Sequence, residues 1–296
     1  MDLELYLEGK RRLVEKALDE ALPTENNRPA ILHKAMRYSL FAGGKRIRPI
    51  LAMAAAEVAQ GRPERVLPLA VALECVHTYS LIHDDLPAMD DDDIRRGKPA
   101  CHKEFGEAMA ILSGDALLAL AFEVLSAPAV VRVCEASRLI ATLHELATAS
   151  GSKKLVAGQV VDILSEGKSV NDKDVAFIVN SKTGALIRAS LKCGALMAGG
   201  TKKEVELLSR FGTDLGAMFQ IKDDLLDLEG DPVELGKAVR KDEGRGKATY
   251  PNLIGKEQTK MLMQILLNSA LETLAPLGSR AEPLALIAHY LNDRAS

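Results

Sequence analysis

Tryptophan is absent from this 296-residue chain, and aromatic residues make up only 4% of it. Large β-sandwiches and barrels lean on aromatic and β-branched side chains, so the scarcity argues against a large all-β fold. Cysteine is scarce as well. Cys75, Cys101, Cys134 and Cys193 are scattered with no CxxC pair, which excludes a disulfide framework. They are expected to be buried small hydrophobes in a reducing compartment. No uninterrupted run reaches the ~18 apolar residues of a membrane span. The start, MDLELYLEGKRR, lacks the apolar stretch of a secretory signal, and the expected location is the cytoplasm. Neither sign of charge dominates: 38 Lys and Arg face 41 Asp and Glu, a net of −3. No global basic excess therefore points to nucleic acid or to an anionic membrane surface. Linker composition is missing too, with no Ser/Gly-rich, Pro-rich or low-complexity block. Residues 1–296 are expected to form one domain, although the length alone would allow two.

What the chain does have is helix periodicity from end to end. Segments 3–22, 66–83, 115–125, 138–149, 172–196 and 203–228 carry apolar residues at helical spacing and are rich in Ala, Leu, Glu and Lys. The predicted fold class is all-α. Two punctuated stretches, 86–99 and 230–246, each follow a long apolar helix ending in aspartates. Neighbouring up-down helices would bring such ends together.

The first acidic cluster is Asp84-Asp85-Leu86-Pro87-Ala88-Met89-Asp90, continuing through Asp91, Asp92 and Asp93. The second is Asp223-Asp224-Leu225-Leu226-Asp227. At ~100° per residue, Gln220, Asp223, Asp224 and Asp227 share an arc of about 100° on one helix. Like charges at this spacing repel. The residues before them (Leu215, Ala217, Met218, Phe219) look like core, so a cation is expected on this face. Oxygen ligands favour Mg²⁺ or Ca²⁺ over Zn²⁺ or copper, and the EF-hand spacing is absent. Mg²⁺ takes one or two carboxylates and completes its shell with water and phosphate, so two clusters could grip one diphosphate from both sides. Pro87 should end the first helix near Asp85 and let a loop return Asp90 toward Asp84. A solvated acidic helix end is the plain alternative for either cluster alone, and a weaker one for the pair.

Cations are also grouped. Gly43-Gly44-Lys45-Arg46-Ile47-Arg48-Pro49 is not a Walker loop, but its amides with Lys45 and Arg48 could hold a phosphate. An ordinary turn is the competing reading. Arg95-Arg96-Gly97-Lys98 follows the first acidic cluster. Lys182-Thr183-Gly184, Lys237 and Lys247 add further charge. His77 lies seven residues before Asp84 on nearly the same face, about 10 Å along the axis; a satisfied core histidine is the alternative. No Ser-His-Asp or Cys-His pattern recommends nucleophilic catalysis, and metal-assisted departure of diphosphate requires none. The ensemble suits a substrate with a diphosphate head and a hydrocarbon tail.

These stretches resemble the short-chain trans-prenyl diphosphate synthases, the bacterial-type farnesyl diphosphate synthases in particular. The matching segments are GGKRIRP at 43–49, CVHTYSLIHDDLPAMDDDDIRRGKPACH at 75–102, SKTG at 181–184, FQIKDDLLDLEGD at 219–231, LGK at 235–237 and GKATYP at 246–251. The resemblance implies an all-α isoprenoid-synthase helical bundle around a central cavity, usually a homodimer. It implies Mg²⁺-dependent head-to-tail joining of isopentenyl diphosphate to an allylic diphosphate such as dimethylallyl or geranyl diphosphate. By motif match, Asp84, Asp90 and Asp223 would bind metal, supported by Asp85, Asp224 and Asp227. Lys45, Arg48, His77 and Arg96 would hold isopentenyl diphosphate. Arg95, Lys182, Thr183, Gln220, Lys237 and Lys247 would hold the allylic diphosphate. Tyr79 and Ser80, just before the first aspartates, would set the floor of the product cavity. A tyrosine there, with two extra residues inside the first motif, resembles farnesyl-forming enzymes, whereas plant geranylgeranyl synthases share the longer motif but tend to carry a smaller or more flexible residue; an ordinary core tyrosine is the alternative. The rival readings are a geranylgeranyl diphosphate synthase, a non-catalytic partner subunit, a terpene cyclase and a plain acidic scaffold. Lys222 is expected to face away from the metals. Arg294 could close over a diphosphate, but the tail Arg294-Ala295-Ser296 is short and is expected to fray.

Overall fold

Helix α1 (Leu3–Ala21) begins where the Asp2 carboxylate accepts the Leu5 amide at 3.1 Å, an ordinary N-cap. The computed structural model describes residues 1–229 and 247–294. After α1 come α2 (Ala30–Leu40), α3 (Ile47–Val58) and, past a short 3₁₀ turn, α4 (Leu67–Asp84). A two-stranded hairpin follows, β1 (Ile94–Arg95) against β2 (Lys98–Pro99), antiparallel with Arg95 opposite Lys98. Then come α5 (Cys101–Phe105), α6 (Glu107–Leu125), α7 (Pro128–Val133), α8 (Ala136–Ser150), α9 (Leu155–Ser165) and α10 (Asp172–Ile178). A π-helical turn, Val179–Thr183, leads into α11 (Gly184–Ala198) and the long α12 (Lys202–Glu229). The chain closes with α13 (Tyr250–Ile254), α14 (Lys256–Leu274) and α15 (Glu282–Asp293).

Helix α3 is buried on nearly all sides; Leu51, Ala52, Met53, Ala55 and Ala56 have no exposed surface. It therefore serves two cores. Ala52, Met53 and Ala56 join α1, α2, α4, α6 and α8 around Leu69, Leu73, Leu117 and Leu146. Ile50, Leu51 and Val58 join α11, α12, α14 and α15 around Phe211, Leu215 and Leu284. Each large side chain so buried contributes about 1.5–3 kcal/mol relative to exposure. Helices α11 and α12 lie so close that a Cβ on Gly216 would sit 2.6 Å from Gly184 Cα. That approach fixes the start of α11 against the middle of α12, about two turns before the second aspartate motif.

The all-α prediction holds, with four local differences. The segment expected at 172–196 is two helices, because the π turn at Val179–Thr183 interrupts it; such turns cluster at functional sites. The helix expected at 115–125 starts earlier, at Glu107, behind a Gly106 with φ +82° and no side-chain cap, so no capping signal marked it. The stretch 86–99 contains the small hairpin. Finally, two helical segments, Pro63–Asp84 and Glu107–Val133, are long and apolar enough to cross a membrane, although charges interrupt each run. The window in the first is 67% buried within the fold and that in the second 28%. The first is therefore a core helix, while α6 presents apolar side chains outward. Cys75, Cys101 and Cys193 are buried as expected, whereas Cys134 is only half-buried.

Replacing Gly216 with valine should force α11 and α12 apart. Overpacking of this kind costs about 1–3 kcal/mol. The expected outcome is a lower urea midpoint in equilibrium unfolding with an unchanged m-value.

Candidate active site

Helix α4 ends in Asp84 with Asp85 as its C-cap, whose amide still bonds Leu81 O at 3.1 Å. Beyond Pro87 the chain folds back on this end. The Asp90 amide donates to Asp84 O at 2.8 Å and the Asp92 amide to Asp85 O at 3.2 Å. The predicted return of Asp90 is thus made by backbone hydrogen bonds, with Asp91 taking the left-handed conformation (φ +49°) that the reversal needs. The Asp84 carboxyl is pushed up to about 6, chiefly by burial and further by Asp90 and Asp85, against the pull of Lys182 and Arg95. Asp85 is 2% exposed. Burial raises it too, opposed by Arg95, whose Nε donates to both carboxylate oxygens at 3.0 and 3.1 Å.

The hairpin separates two adjacent arginines. Arg96 and Gly97 form its turn with φ of 53° and 76°, the pair of left-handed residues typical of a tight two-residue turn. Arg95 points to Asp85 and Asp92, while Arg96 donates to the Gly43 carbonyl. Gly44 is required there, since a Cβ would lie 2.8 Å from the Arg96 guanidinium carbon and its φ is +136°.

Arg96 thereby closes a cavity of about 230 Å³ lined also by Lys45, Arg48, His77 and Phe219. The Arg48 guanidinium lies 5.8 Å from the Phe219 ring centre, and its Nε is buried with no partner. Burial pulls Arg48 down to about 10, with Glu74 and Asp223 holding it up. His77 is held well below its usual range by burial and then by Arg48 and Arg96, so its imidazole is neutral. The third basic residue of the glycine-rich segment does something else. Arg46 is 2% exposed and binds Glu74 at 2.6 Å, Glu15 at 2.7 Å and Leu40 O at 2.6 Å. Its left-handed φ of 51° turns it into the core, leaving Lys45 and Arg48 for the cavity.

The π turn joins the two acidic clusters. Lys182 Nζ donates to Asp162 Oδ2 at 2.6 Å. Burial alone would lower this ammonium, but Asp162, Asp84 and Asp90 outweigh it and keep it charged. Next to it, Thr183 Oγ1 donates to Gln220 Oε1, and Gln220 Nε2 donates to Asp224 Oδ1 at 2.8 Å. A polar chain thus runs from Asp84, on which Lys182 acts electrostatically, along the turn to Thr183 and by hydrogen bonds on to Gln220 and Asp224. Asp224 and Asp227 are each 5% exposed. Asp223 receives the Arg294 guanidinium, which stacks 4.7 Å over Phe219. Arg294 is therefore seated at the site and not frayed. Lys222 donates to Asn292 O at 2.9 Å on the C-terminal helix. Tyr79 is buried, donates to Ser150 O at 3.3 Å and meets the His83 ring edge-on at 5.8 Å. Burial, then Asp84, pushes its hydroxyl up to about 12. Ser80 Oγ donates to His77 O at 2.8 Å within its own helix. The Lys247 carbonyl accepts Asn252 Nδ2 at 2.9 Å at the entry to α13. Lys237 lies outside the described residues.

Sequence reasoning missed Asp162 and Glu74, which hold Lys182 and Arg46. The available signal was a single acid inside an otherwise apolar helix, in Gly158-Gln159-Val160-Val161-Asp162 and in Leu69–Val76. The two rows, Asp84, Asp85 and Asp90 in one and Asp223, Asp224 and Asp227 in the other, offer only carboxylate oxygen, and burial raises Asp84 toward its neutral form. That donor set fits a hard divalent ion such as Mg²⁺.

With no metal bound, the sign of the Asp84 effect is fixed. Its carboxyl titrates near 6 in the fold against about 3.9 unfolded. The stability it contributes is complete below pH 4 and is lost as pH rises through 6. In EDTA, Asp84→Asn should therefore melt higher than the parent at pH 8, by up to roughly 3 kcal/mol, with the gain vanishing near pH 4. Equal melting temperatures at both pH values would contradict this.

The polyprenyl synthetase family profile matches residues 29–274. The heterodimeric geranylgeranyl pyrophosphate synthase large subunit 1, chloroplastic, of Arabidopsis thaliana is 46% identical over 297 residues, spanning 99% of this chain and 80% of its own length. Among solved structures, an FPP/GFPP synthase from Zymomonas mobilis superposes with a TM-score of 0.86 at 36% identity, covering 98% of this chain and 99% of its own. A geranylgeranyl pyrophosphate synthetase from Pyrococcus horikoshii superposes with a TM-score of 0.88 at 31% identity, covering 99% and 98%.

Proposed function

The chain belongs to the polyprenyl synthetase family, and on that premise we propose that it joins isopentenyl diphosphate to an allylic diphosphate, head to tail, with Mg²⁺ as cofactor. It is a prenyltransferase. The observation that carries the proposal is the polar chain from Asp84 through Lys182 and Thr183 to Gln220 and Asp224 beside a separate guanidinium cavity. Such an arrangement offers two anion sites of different character, one rich in carboxylates and one dominated by Lys45, Arg48 and Arg96.

In this reading Asp84, Asp90 and Asp223 hold Mg²⁺, with Asp85, Asp224 and Asp227 in support. The ions would supply positive charge to a departing diphosphate. Arg95 and Lys182 grip the same diphosphate, joined by Lys237 and Lys247. Arg95 is oriented by Asp85, and Lys182 by Asp162. Both stay protonated, so both stabilise the charge that grows on the leaving oxygen. The allylic cation is left beside the Thr183 and Gln220 oxygen dipoles and the apolar floor, where water is excluded. Lys45, Arg48 and Arg96 bind isopentenyl diphosphate, and the neutral His77 serves as an uncharged hydrogen-bonding partner. The double bond attacks the cation, and the proton then released passes to a diphosphate oxygen. The chain needs no base of its own. Incubation with labelled isopentenyl diphosphate, a C5 or C10 allylic starter and Mg²⁺ tests the reaction directly. Absence of any elongated product from the purified chain would point instead to a partner-dependent subunit.

Product length has two readings. The names of the Arabidopsis and Pyrococcus relatives favour geranylgeranyl diphosphate. The buried Tyr79 ring, about 7.5 Å along α4 from Asp84, favours a floor that stops the chain at farnesyl diphosphate. Chromatography of dephosphorylated products distinguishes them. In either case Tyr79→Ala should shift the spectrum toward longer chains by at least one C5 unit. An unchanged spectrum would remove Tyr79 from the floor.

A homodimer is part of the same proposal. On α6, Ile111 and Leu112 are 43% and 50% exposed, on the helix whose apolar window is mostly unburied. Apolar area of this kind marks an interaction surface. The double substitution Ile111→Asp, Leu112→Asp should give a monomer by light scattering, where the parent gives a dimer. A cytoplasmic location rests on the sequence alone.

A further inference from the structure

The run Asp90-Asp91-Asp92-Asp93 is split by the fold into two pairs. Asp90 and Asp92 are half-buried and face the site already described, where Asp90 acts on Asp84 and Asp92 meets Arg95. Asp91 and Asp93 are exposed and turn the other way. There they meet His102 on α5, and one ligand atom of each of the three lies within 4.8 Å of the others. His102 is 6% exposed, yet both ring nitrogens lack any hydrogen-bond partner. A buried imidazole with neither nitrogen satisfied is costly, and an absent ion or water is the ordinary explanation.

We propose that Asp91, Asp93 and His102 form a second metal site, separate from the carboxylates of the reaction and selective for a borderline divalent ion of the Zn²⁺ or Co²⁺ class. Two carboxylates neutralise the ion, and the imidazole nitrogen discriminates against Mg²⁺. Tetrahedral coordination at about 2.1 Å brings ligand atoms to about 3.4 Å apart. The exposed aspartates can close that distance onto the fixed histidine. The backbone already brings the ligands together, since the Ala100 amide donates to Asp93 O at 2.8 Å across the base of the hairpin. Lys103 Nζ lies 2.8 Å from Asp93 Oδ1 and offsets that carboxylate. Its side chain is 44% exposed and free to swing into solvent. The bound ion would tie the loop carrying Asp90 and Asp92 to α5, fixing the first acidic cluster from behind.

The test uses the full-length protein in excess Mg²⁺, so that the carboxylate site is saturated, and Co²⁺ as the probe. Calorimetry and visible absorption should report one equivalent of Co²⁺ that Mg²⁺ does not displace, with a rise in melting temperature. The exposed double variant Asp91→Asn, Asp93→Asn should abolish that equivalent and the thermal shift without disturbing the fold. His102→Asn should weaken Co²⁺ at least as much as the ~10-fold that loss of a mere outer-shell partner costs. Undiminished Co²⁺ binding in the double variant, or displacement by Mg²⁺ at equal concentration, would overturn the assignment. Neither result depends on prenyl transfer, so this proposal and the proposed function fail independently.

Discussion

The structure depends on placing carboxylates against one another in partly dry surroundings and offsetting them with cations that are themselves held. Lys182 is the central example. Left alone, its burial would favour the neutral amine; between Asp162 on one side and Asp84 and Asp90 on the other it stays charged. The same logic governs Arg95 with Asp85 and Arg46 with Glu74. Breaking such a pair by removing one partner leaves an uncompensated charge, so these cations are positioned by the fold as much as by substrate.

Local backbone devices set the geometry that these charges use. The π turn brings Lys182 and Thr183 out of helical register and hands Gln220 a hydroxyl donor. The tight hairpin sends Arg95 to Asp85 and Arg96 to the glycine-rich segment at Gly43. The left-handed Arg46 puts one guanidinium into the core and leaves its neighbours to a cavity. In each case a short departure from regular structure divides residues adjacent in sequence between different tasks. The four-aspartate run follows the same pattern, with its members alternating between the reaction site and the loop's outer face.

Much of the site was legible in the residues themselves. The aspartate pairs, the glycine-rich basic segment and the apolar helices preceding them are local patterns, and Pro87 correctly marks the end of α4. The predicted return of Asp90 needed only the restrictions proline imposes on the backbone. Asp162 and Glu74 were missed because their meaning lies in a partner far along the chain, 20 residues away for Asp162–Lys182 and 28 for Glu74–Arg46. Nothing in the helical period distinguishes a buried acid with such a partner from one on a solvated face.

The sequence alone determined the all-α class, the family and the identity of the two acidic rows, since periodicity and motif spacing are short-range properties written directly in residue order. Only the tertiary structure decided which basic residue enters the core, which arginine meets the aspartates and which the glycine-rich segment, that Arg294 rests on Asp223, and that His102 lies beside two outward aspartates. Those outcomes depend on burial and on Coulomb interactions between distant segments. Desolvation exists only once the helices have packed and taken water away.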